Sequence, residues 1–454
     1  MKREQVANRR YGSEIEYGYL LTKGVDHDSF HPGWKTPDIT SIGTFLQNGG
    51  RLYPDEELIE YSTPECPTLE ELVLHEVAGE RMVHEAYGGA SEILSIHKRG
   101  IVPKGGYTTG AHENYSTRIR LLYESANDSA FDTHLAARTI FTGAGSLQPS
   151  RYVLGQKIRN DKKWHFRTQR SDAEGGPDRL ELLCGDPNIS LWALKMKFGT
   201  TSLVLRLLEQ GVDLSDLALA NPKQAAIAVA GKAENMSKPL KLASGKTMSA
   251  LNLEEEFAGR AAMLPERFDI PQDEQDLIPD WFSITDSLRR YSETGETSED
   301  MKQIDWYTKQ ERIDRVMTSR REREADPERD YYVGLAYELQ YDQVPNGFGV
   351  KLRQEGKRFA PHAPSEEQIV KARTTPPKGR PKLRGAVIEG IKKGQVKGSI
   401  TIKWDHISLF AFTKKGKKLS LGPVDQDYTD EEIKKETAHI LAGVLKKPKA
   451  KAED

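Results

Sequence analysis

The sequence feature that most limits the fold is an alternation of acidic and apolar residues near the amino terminus. Glu14 and Glu16 flank Ile15, and Tyr17 follows. Successive side chains of an extended strand point to opposite faces, so both glutamates would lie on one face and both apolar side chains on the other. The pattern predicts a β-strand that packs one face against a core and presents two carboxylates on the other.

A second stretch alternates in the same way. Arg51, Tyr53 and Asp55 would share one strand face, and Glu60 returns after a short bend. If the two stretches pair, one sheet face carries several carboxylates, which repel one another unless a cation lies among them. Oxygen ligands suit Mg²⁺, and Mg²⁺ commonly binds together with phosphate. The alternative is an ordinary solvated strand face.

Composition limits the class of protein. At 454 residues the chain is long enough for a large core and a second, smaller domain. A net charge of −2 with 30% charged residues gives no global basicity, so nucleic acid is not an expected partner. The first twenty residues contain no uninterrupted apolar run, and we expect neither a signal peptide nor a membrane anchor. The two cysteines cannot form a disulfide framework, which favours the reducing cytoplasm.

The middle of the chain is mainly helical. Thr68 and Glu71 have the spacing of a capping box at the start of a helix that reaches Tyr87. Residues 195–211 end in another helix, and residues 213–321 continue the helical pattern. In contrast, residues 23–47 are rich in Gly, Pro, His and Asp, and form either a lid or a disordered connection.

Composition becomes more basic after Gly385, which predicts a large domain over residues 1–384 and a small domain over residues 385–454 that ends in a frayed basic tail. Ile400, Ile402 and Trp404 alternate with polar residues, so Trp404 is predicted on the apolar side of a strand. A buried tryptophan there needs no function.

Four segments together resemble a known family. They are GSEIEYG (12–18), NGGRLY (48–53), EYSTPEC (60–66) and HENY (112–115). In order and spacing they resemble the enzymes of the prokaryotic ubiquitin-like protein (Pup) system, which include the Pup–protein ligase and the Pup deamidase or depupylase. The similarity runs almost from end to end. It implies an α+β fold similar to glutamine synthetase, in which a curved antiparallel sheet forms a cradle, helices pack on its outer face, and a small C-terminal domain closes one end.

The resemblance also implies roles for individual residues. It makes Glu14, Tyr53 and Glu60 metal positions, Arg51 and Thr63 nucleotide contacts, Asp55 the catalytic carboxylate, His112 a residue of the nucleotide and metal site, and Trp404 a stacking partner of adenine. Glu16 joins the metal set because it would share a face with Glu14.

Three further candidates depend on residue chemistry. Glu181 stands where the family has the histidine of an Arg-Leu-His segment, and a carboxylate can replace imidazole as a ligand of Mg²⁺. Arg170 and Arg380 are candidate phosphate contacts because a guanidinium matches phosphoryl oxygens. Solvation or surface pairing is the alternative for both arginines. Arg384 is likewise expected to face the substrate or the nucleotide phosphates, with surface pairing as the alternative.

The implied activity requires ATP and Mg²⁺ and acts on the C-terminal residue of a Pup-like modifier, with lysine-conjugated protein targets and the proteasome pathway as partners. The spacing of Asp55 and Glu60 resembles the deamidase branch, so we expect hydrolysis of the modifier's amide or isopeptide bond. The loop over residues 23–47 is too short for the deamidase insertion, which keeps ligation as the alternative. A small-molecule carboxylate–amine ligase and a non-catalytic binding protein remain as other classes.

Overall fold

The computed structural model describes residues 3–23, 45–55, 58–101, 108–121, 125–149, 151–157, 166–170, 176–321, 326–354, 363–393, 399–410 and 417–445. Most of the predicted loop over residues 23–47 therefore lies outside the described residues. Within the described ranges, no helix has both the length and the apolar character needed to cross a membrane. Both Cys66 and Cys184 are buried free thiols.

The strands are β1 (Glu4–Gln5), β2 (Tyr11–Leu21), β3 (Arg51–Asp55), β4 (Leu58–Ser62), β5 (Ile93–His97), β6 (Ala111–Thr117), β7 (Ser146–Gln148), β8 (Arg151–Val153), β9 (Arg167–Arg170), β10 (Asp178–Leu182), β11 (Leu240–Lys241), β12 (Thr247–Met248), β13 (Phe268–Asp269), β14 (Gln343–Val344), β15 (Ser399–Ile402), β16 (His406–Phe410) and β17 (Lys417–Ser420).

The helices are α1 (Leu69–Tyr87), α2 (Ala126–Ala137), α3 (Thr139–Thr142), α4 (Leu191–Glu209), α5 (Pro222–Gly231), α6 (Ala250–Ala262), α7 (Leu264–Arg267), α8 (Gln272–Gln275), α9 (Leu277–Thr294), α10 (Asp305–Arg321), α11 (Pro327–Asp342), α12 (Phe348–Gln354), α13 (Glu366–Ala372), α14 (Arg380–Lys392) and α15 (Asp430–Leu445).

The main sheet has the strand order β14-β5-β2-β6-β10-β9, with β4 added beside β2 and β3 beside β4. Its pairs are antiparallel. The long strand β2 alternates as predicted: Ile15 and Tyr17 are buried, whereas Glu14 and Glu16 are only partly buried. The sheet therefore has one apolar face and one carboxylate-bearing face.

Helices cover the apolar face. Helix α1 begins at the predicted cap, where the Thr68 hydroxyl accepts a hydrogen bond from the Glu71 amide at 3.1 Å. Val83 and Tyr87 of this helix belong to the same apolar cluster as Ile15 and Tyr17. A larger cluster joins the neighbouring strands to α2, α4, α6 and α9. Because the helices bury the apolar side chains, the opposite face is left for polar chemistry.

The C-terminal unit has its own apolar cluster, which includes Val387, Ile402, Ile407 and Leu421. It consists of α14, the three-stranded sheet β15-β16-β17 and α15. The predicted boundary between residues 384 and 385 falls inside α14, and we propose that the unit begins with that helix. The expectation for Trp404 was wrong in one respect, because β15 ends at Ile402 and Trp404 lies in the turn that follows.

Candidate active site

The carboxylate-bearing face collects side chains from five strands. On β2, Glu14 lies opposite Ser62 of β4 and His112 of β6, and Glu16 lies opposite Glu60. Residues directly opposite each other in antiparallel strands point to the same face, so these side chains converge. Two groups of three potential metal ligands result, each with ligand atoms within 4.8 Å of one another.

The first group, called the histidine cluster, consists of Glu14, His112 and Glu181. The His112 Nδ1 atom lies 3.4 Å from a Glu14 oxygen and 3.6 Å from a Glu181 oxygen. Arg179 of β10 also reaches this cluster, with its Nη2 atom 2.6 Å from Glu14 and 3.5 Å from Glu181. Burial alone would raise the pKa of Glu14, but the hydrogen bond with His112 and the charge of Arg179 outweigh it and lower that pKa.

The second group, called the acidic cluster, consists of Glu16, Asp55 and Glu60. The Tyr53 hydroxyl donates a hydrogen bond to Glu60, as does the Ser62 hydroxyl at 3.3 Å. Burial, followed by the charges of Glu14, Glu16 and Asp55, raises the pKa of Glu60 to about 7 despite the hydrogen bond from Tyr53. Burial and Glu60 also raise the pKa of Tyr53, so its phenol keeps the proton that it donates.

The donor set suits Mg²⁺. Carboxylate oxygens are the preferred protein ligands of this ion, and five of the six side chains in the two clusters supply them. The remaining donor is the imidazole of His112, which is an unusual ligand for Mg²⁺ but a common one for transition-metal cations. A cation between the carboxylates would also relieve the repulsion that raises the pKa of Glu60.

A partly open cleft lies beside the histidine cluster. Its lining includes Glu14, Arg179, Thr63, Arg380 and Trp404. The cleft is thus bounded by the sheet on one side and by the C-terminal unit on the other.

Three predicted nucleotide contacts line this cleft. The Thr63 hydroxyl accepts a hydrogen bond from the Ser13 amide at 2.9 Å, which fixes its side chain. Trp404 packs edge-on against Phe45, with ring centroids 4.8 Å apart. Arg380 donates from Nε to the Gly422 carbonyl at 2.6 Å.

The other two predicted nucleotide contacts lie apart from the cleft. The Arg51 guanidinium lies 3.8 Å from the centroid of the Tyr53 ring, beside the acidic cluster. Arg170 is exposed at the end of the edge strand β9, opposite Arg179. Neither side chain is among the described residues that line the cleft.

Two arginines at the site were not assigned by the sequence reasoning. Arg179 connects Glu14 to Asn114, whose side-chain oxygen accepts from the Arg179 Nε atom at 2.7 Å. Its alternation with Glu181 along β10 was the signal that could have identified it. Arg10 is buried and lines the cleft, but it precedes the alternating stretch and carries no such signal.

Arg384 was expected either to face phosphate or to pair at the surface, and it does neither. It is fully buried, pairs with Glu65 at 3.0 Å and donates to the Trp404 carbonyl at 2.9 Å. Its guanidinium therefore anchors the turn that carries Trp404.

A sheet face with carboxylate clusters beside a cleft is the architecture of an enzyme that binds a charged ligand. The family model described as Pup-ligase protein matches residues 7–175 and 174–408. The chain belongs to this Pup-ligase family.

Individual relatives agree with this assignment. The chain is 31% identical over 447 residues to the Pup–protein ligase of Acidimicrobium ferrooxidans, covering 89% of this chain and 93% of the relative. It is 29% identical over 400 residues to the Pup deamidase/depupylase of Mycolicibacterium smegmatis, covering 82% and 78%. The resemblance seen in the sequence motifs is confirmed.

Among solved structures, the complex between Pup and its ligase PafA has a TM-score of 0.80 and 24% identity, and the match covers 96% of this chain and 93% of that one. This similarity confirms the predicted α+β fold class.

Proposed function

We propose that this protein is an ATP-dependent Pup–protein ligase, which joins the side-chain carboxyl group of a Pup-like modifier's C-terminal residue to a lysine amine of a target protein. The observation that carries the proposal is that strand β2 contributes residues to the cleft and to both carboxylate clusters, which therefore lie next to one another. The partners would be the modifier and lysine-bearing targets of the proteasome pathway.

The residues of strand β2 show the order in which the cleft, the histidine cluster and the acidic cluster follow one another. Gly12 and Glu14 line the cleft, and Glu14 belongs to the histidine cluster. Glu16, the next residue on that face, belongs to the acidic cluster. Two residues of a strand span about 7 Å. A nucleotide whose base lies against Trp404 would thus extend its phosphates past Glu14 toward Glu16.

Mg²⁺ would be held by Glu14, Glu16, Glu60, His112 and Glu181, with Tyr53 fixing Glu60 through its hydroxyl. The bound ion supplies charge neutralisation for the transferred phosphoryl group. Arg179 and Arg51 flank the two clusters and add positive charge from the protein itself. A solved relative, the ligase PafA in complex with ADP, supports the choice of nucleotide.

The chemistry follows from these positions. A carboxylate is inert toward amines until one oxygen becomes a leaving group. Transfer of the ATP γ-phosphoryl group to that oxygen releases ADP and forms an acyl phosphate. The lysine nitrogen then attacks the carbonyl carbon, inorganic phosphate leaves, and Asp55, which is exposed at the end of β3, accepts the amine proton.

Hydrolysis by the same site is the second candidate, and it was the favoured expectation from the sequence motifs. The similarity to the Pup deamidase/depupylase of M. smegmatis supports it. The similarity to ligases from both Acidimicrobium ferrooxidans and Geodermatophilus obscurus favours ligation. Membership of the Pup-ligase family favours neither a small-molecule ligase nor a non-catalytic binding protein.

The test is to incubate the protein with Mg-ATP and a Pup-like modifier in three forms: with a C-terminal glutamate, with a C-terminal glutamine, and already conjugated to a lysine-containing protein. A ligase gives a new conjugate and stoichiometric ADP only from the glutamate form with a target protein. Mass spectrometry that shows deamidation or release of the modifier, with no conjugate formed, would establish hydrolysis instead. Turnover of none of the three forms would refute both candidates.

A further inference from the structure

One wall of the cleft comes from a short segment of the C-terminal unit. Residues 421–428, here called the strap, connect β17 to α15, and Val424 of the strap lines the cleft together with Trp404. The strap is joined to the turn that carries Trp404, because the Leu421 amide donates to the Asp405 carbonyl at 2.9 Å. The Tyr428 hydroxyl closes the strap on itself by donating to the Leu421 carbonyl at 2.5 Å.

Arginines of the sheet domain hold this strap. Arg10, just before β2, has its Nη2 atom 2.5 Å from Asp427 and donates from Nε to the Val424 carbonyl at 3.3 Å. Arg118, just after β6, forms an ion pair with Asp425. The strands β2 and β6 are also those that carry Glu14 and His112.

The two halves of the proposed nucleotide site thus belong to different units. The phosphate half, with Glu14 and His112, lies on the sheet, and the base half, with Trp404 and Val424, lies on the C-terminal unit. Separation of the two halves would break the ion pairs of Arg10 and Arg118. In each pair one side chain is shielded, Arg10 at 5% and Asp425 at 14% exposure, and the other is about half exposed, Asp427 at 54% and Arg118 at 47%. Each pair therefore contributes a modest attraction that holds the strap against the sheet.

We propose that Arg10 and Arg118 are positioning residues that hold the strap against the sheet and thereby set the rate at which nucleotide leaves the cleft. The inference rests on the proposed nucleotide site. Arg118 does not line the cleft within the described part of the chain, so it acts on the nucleotide through the strap. Arg10 itself lines the cleft, so a substitution there would change nucleotide binding directly as well as through the strap. Arg118 is therefore the better residue to test.

The experiment is a charge exchange between Arg118 and Asp425, measured with a fluorescent ADP analogue in the full-length protein. Arg118→Asp places two carboxylates in contact, and we expect the dissociation rate of the nucleotide and the KM for ATP to rise about three- to tenfold. The kcat for the modifier reaction should change less than twofold, because Arg118 lies outside both carboxylate clusters. The exchanged pair, Arg118→Asp with Asp425→Arg, should return the dissociation rate to within about twofold of the original value.

Lys382→Ala is the matched control, because Lys382 forms an exposed ion pair with Asp430, which lies in the same unit but outside the strap. If Arg118→Asp leaves the dissociation rate unchanged, or if the exchanged pair does not restore it, the inference is wrong. Should the Arg118→Asp protein melt at a much lower temperature, Asp425→Asn supplies the same test with a smaller expected rise of about twofold. Absence of nucleotide binding by the original protein would instead refute the proposed function.

Discussion

The two carboxylate clusters lie side by side on one sheet face, yet different groups compensate their negative charge. The histidine cluster includes an imidazole and has the Arg179 guanidinium 2.6 Å from Glu14. In the acidic cluster, the donors found among the described residues are neutral: the hydroxyls of Tyr53 and Ser62 to Glu60, and the Gly110 amide to Glu16.

The pKa values reflect this difference. That of Glu14 is lowered, because hydrogen bonding and the Arg179 charge outweigh burial, whereas burial and neighbouring carboxylates raise that of Glu60 to about 7. Arg179 contacts the histidine cluster directly, whereas Arg51 lies beside the acidic cluster and Lys157 interacts electrostatically with Glu16. Positive charge of the protein thus reaches both clusters, but it leaves the pKa of Glu60 raised. A cation would relieve the most repulsion at the acidic cluster, and it would also offset the negative charge of a phosphoryl group bound there. We therefore propose that the chemical step takes place at the acidic cluster and that the histidine cluster holds the nucleotide phosphates.

The largest expected effect is that of Asp55→Asn in the acidic cluster. The amide cannot accept the proton of the attacking amine, so kcat for conjugate formation should fall by about 10²- to 10⁴-fold. Binding of the ADP analogue should weaken less than tenfold, since Asp55 does not line the cleft.

The control for Asp55→Asn is Asp286→Asn, which changes an exposed aspartate of α9 that pairs with Arg290 and should leave kcat unaltered. If Asp55→Asn kept wild-type turnover, the chemical step would not take place at the acidic cluster.

A paired substitution tests the charge balance directly. In metal-free protein at pH 8, Glu60→Gln removes a repelled carboxylate and should stabilise the fold by about 1 kcal/mol. Glu14→Gln removes a partner of Arg179 and His112 and should destabilise it by about 1 to 3 kcal/mol. Thermal unfolding in the presence of EDTA measures both changes, and shifts of the same sign would contradict the comparison.

The same two variants should respond alike to metal. Each replaces a carboxylate ligand with a neutral amide, which binds a hard cation more weakly, so each should require about tenfold more Mg²⁺ for half-maximal turnover. The pair thus separates the charge balance of the metal-free clusters from their shared role in holding a cation.

Substitutions of Glu181 should have a smaller effect on the metal dependence of turnover. They test whether this glutamate is a metal ligand at the position where the family has a histidine. Glu181→Gln should raise the Mg²⁺ concentration for half-maximal turnover about fivefold, because a neutral amide is a weaker ligand for a hard cation. Glu181→His adds a second imidazole and should shift the ratio of Mn²⁺- to Mg²⁺-supported turnover toward Mn²⁺ by about tenfold. If neither variant alters metal dependence, Glu181 is not a ligand and the histidine cluster loses its third member.

Local periodicity explains which parts of the site were predictable. Glu14 and Glu16, and likewise Tyr53 and Asp55, are neighbours in sequence, so strand alternation alone placed each pair on one face. Strand alternation did not predict the position of Trp404, because β15 ends at Ile402 and a turn does not preserve the alternation.

Contacts over long sequence separations were not predictable. Arg118 and Asp425 are separated by 307 positions, and Arg10 and Asp427 by 417. No local pattern marks such pairs, since they depend on how the C-terminal unit packs on the sheet. Arg384 illustrates the same limit, because its expected phosphate contact is replaced by a buried pairing with Glu65, 319 positions away.

The smallest expected effect concerns Arg179, whose charge is the basis of the contrast between the clusters. Arg179 competes with a cation for oxygens of Glu14 and Glu181, so Arg179→Gln should strengthen Mn²⁺ binding in the absence of nucleotide by about two- to fivefold, as measured by calorimetry. Arg170→Gln is the control, because Arg170 lies opposite Arg179 on the edge strand but is exposed and should leave that affinity unchanged. Weaker Mn²⁺ binding by Arg179→Gln would mean that the guanidinium positions the carboxylates for the ion and does not take the ion's place. The two clusters would then differ in geometry and not in charge.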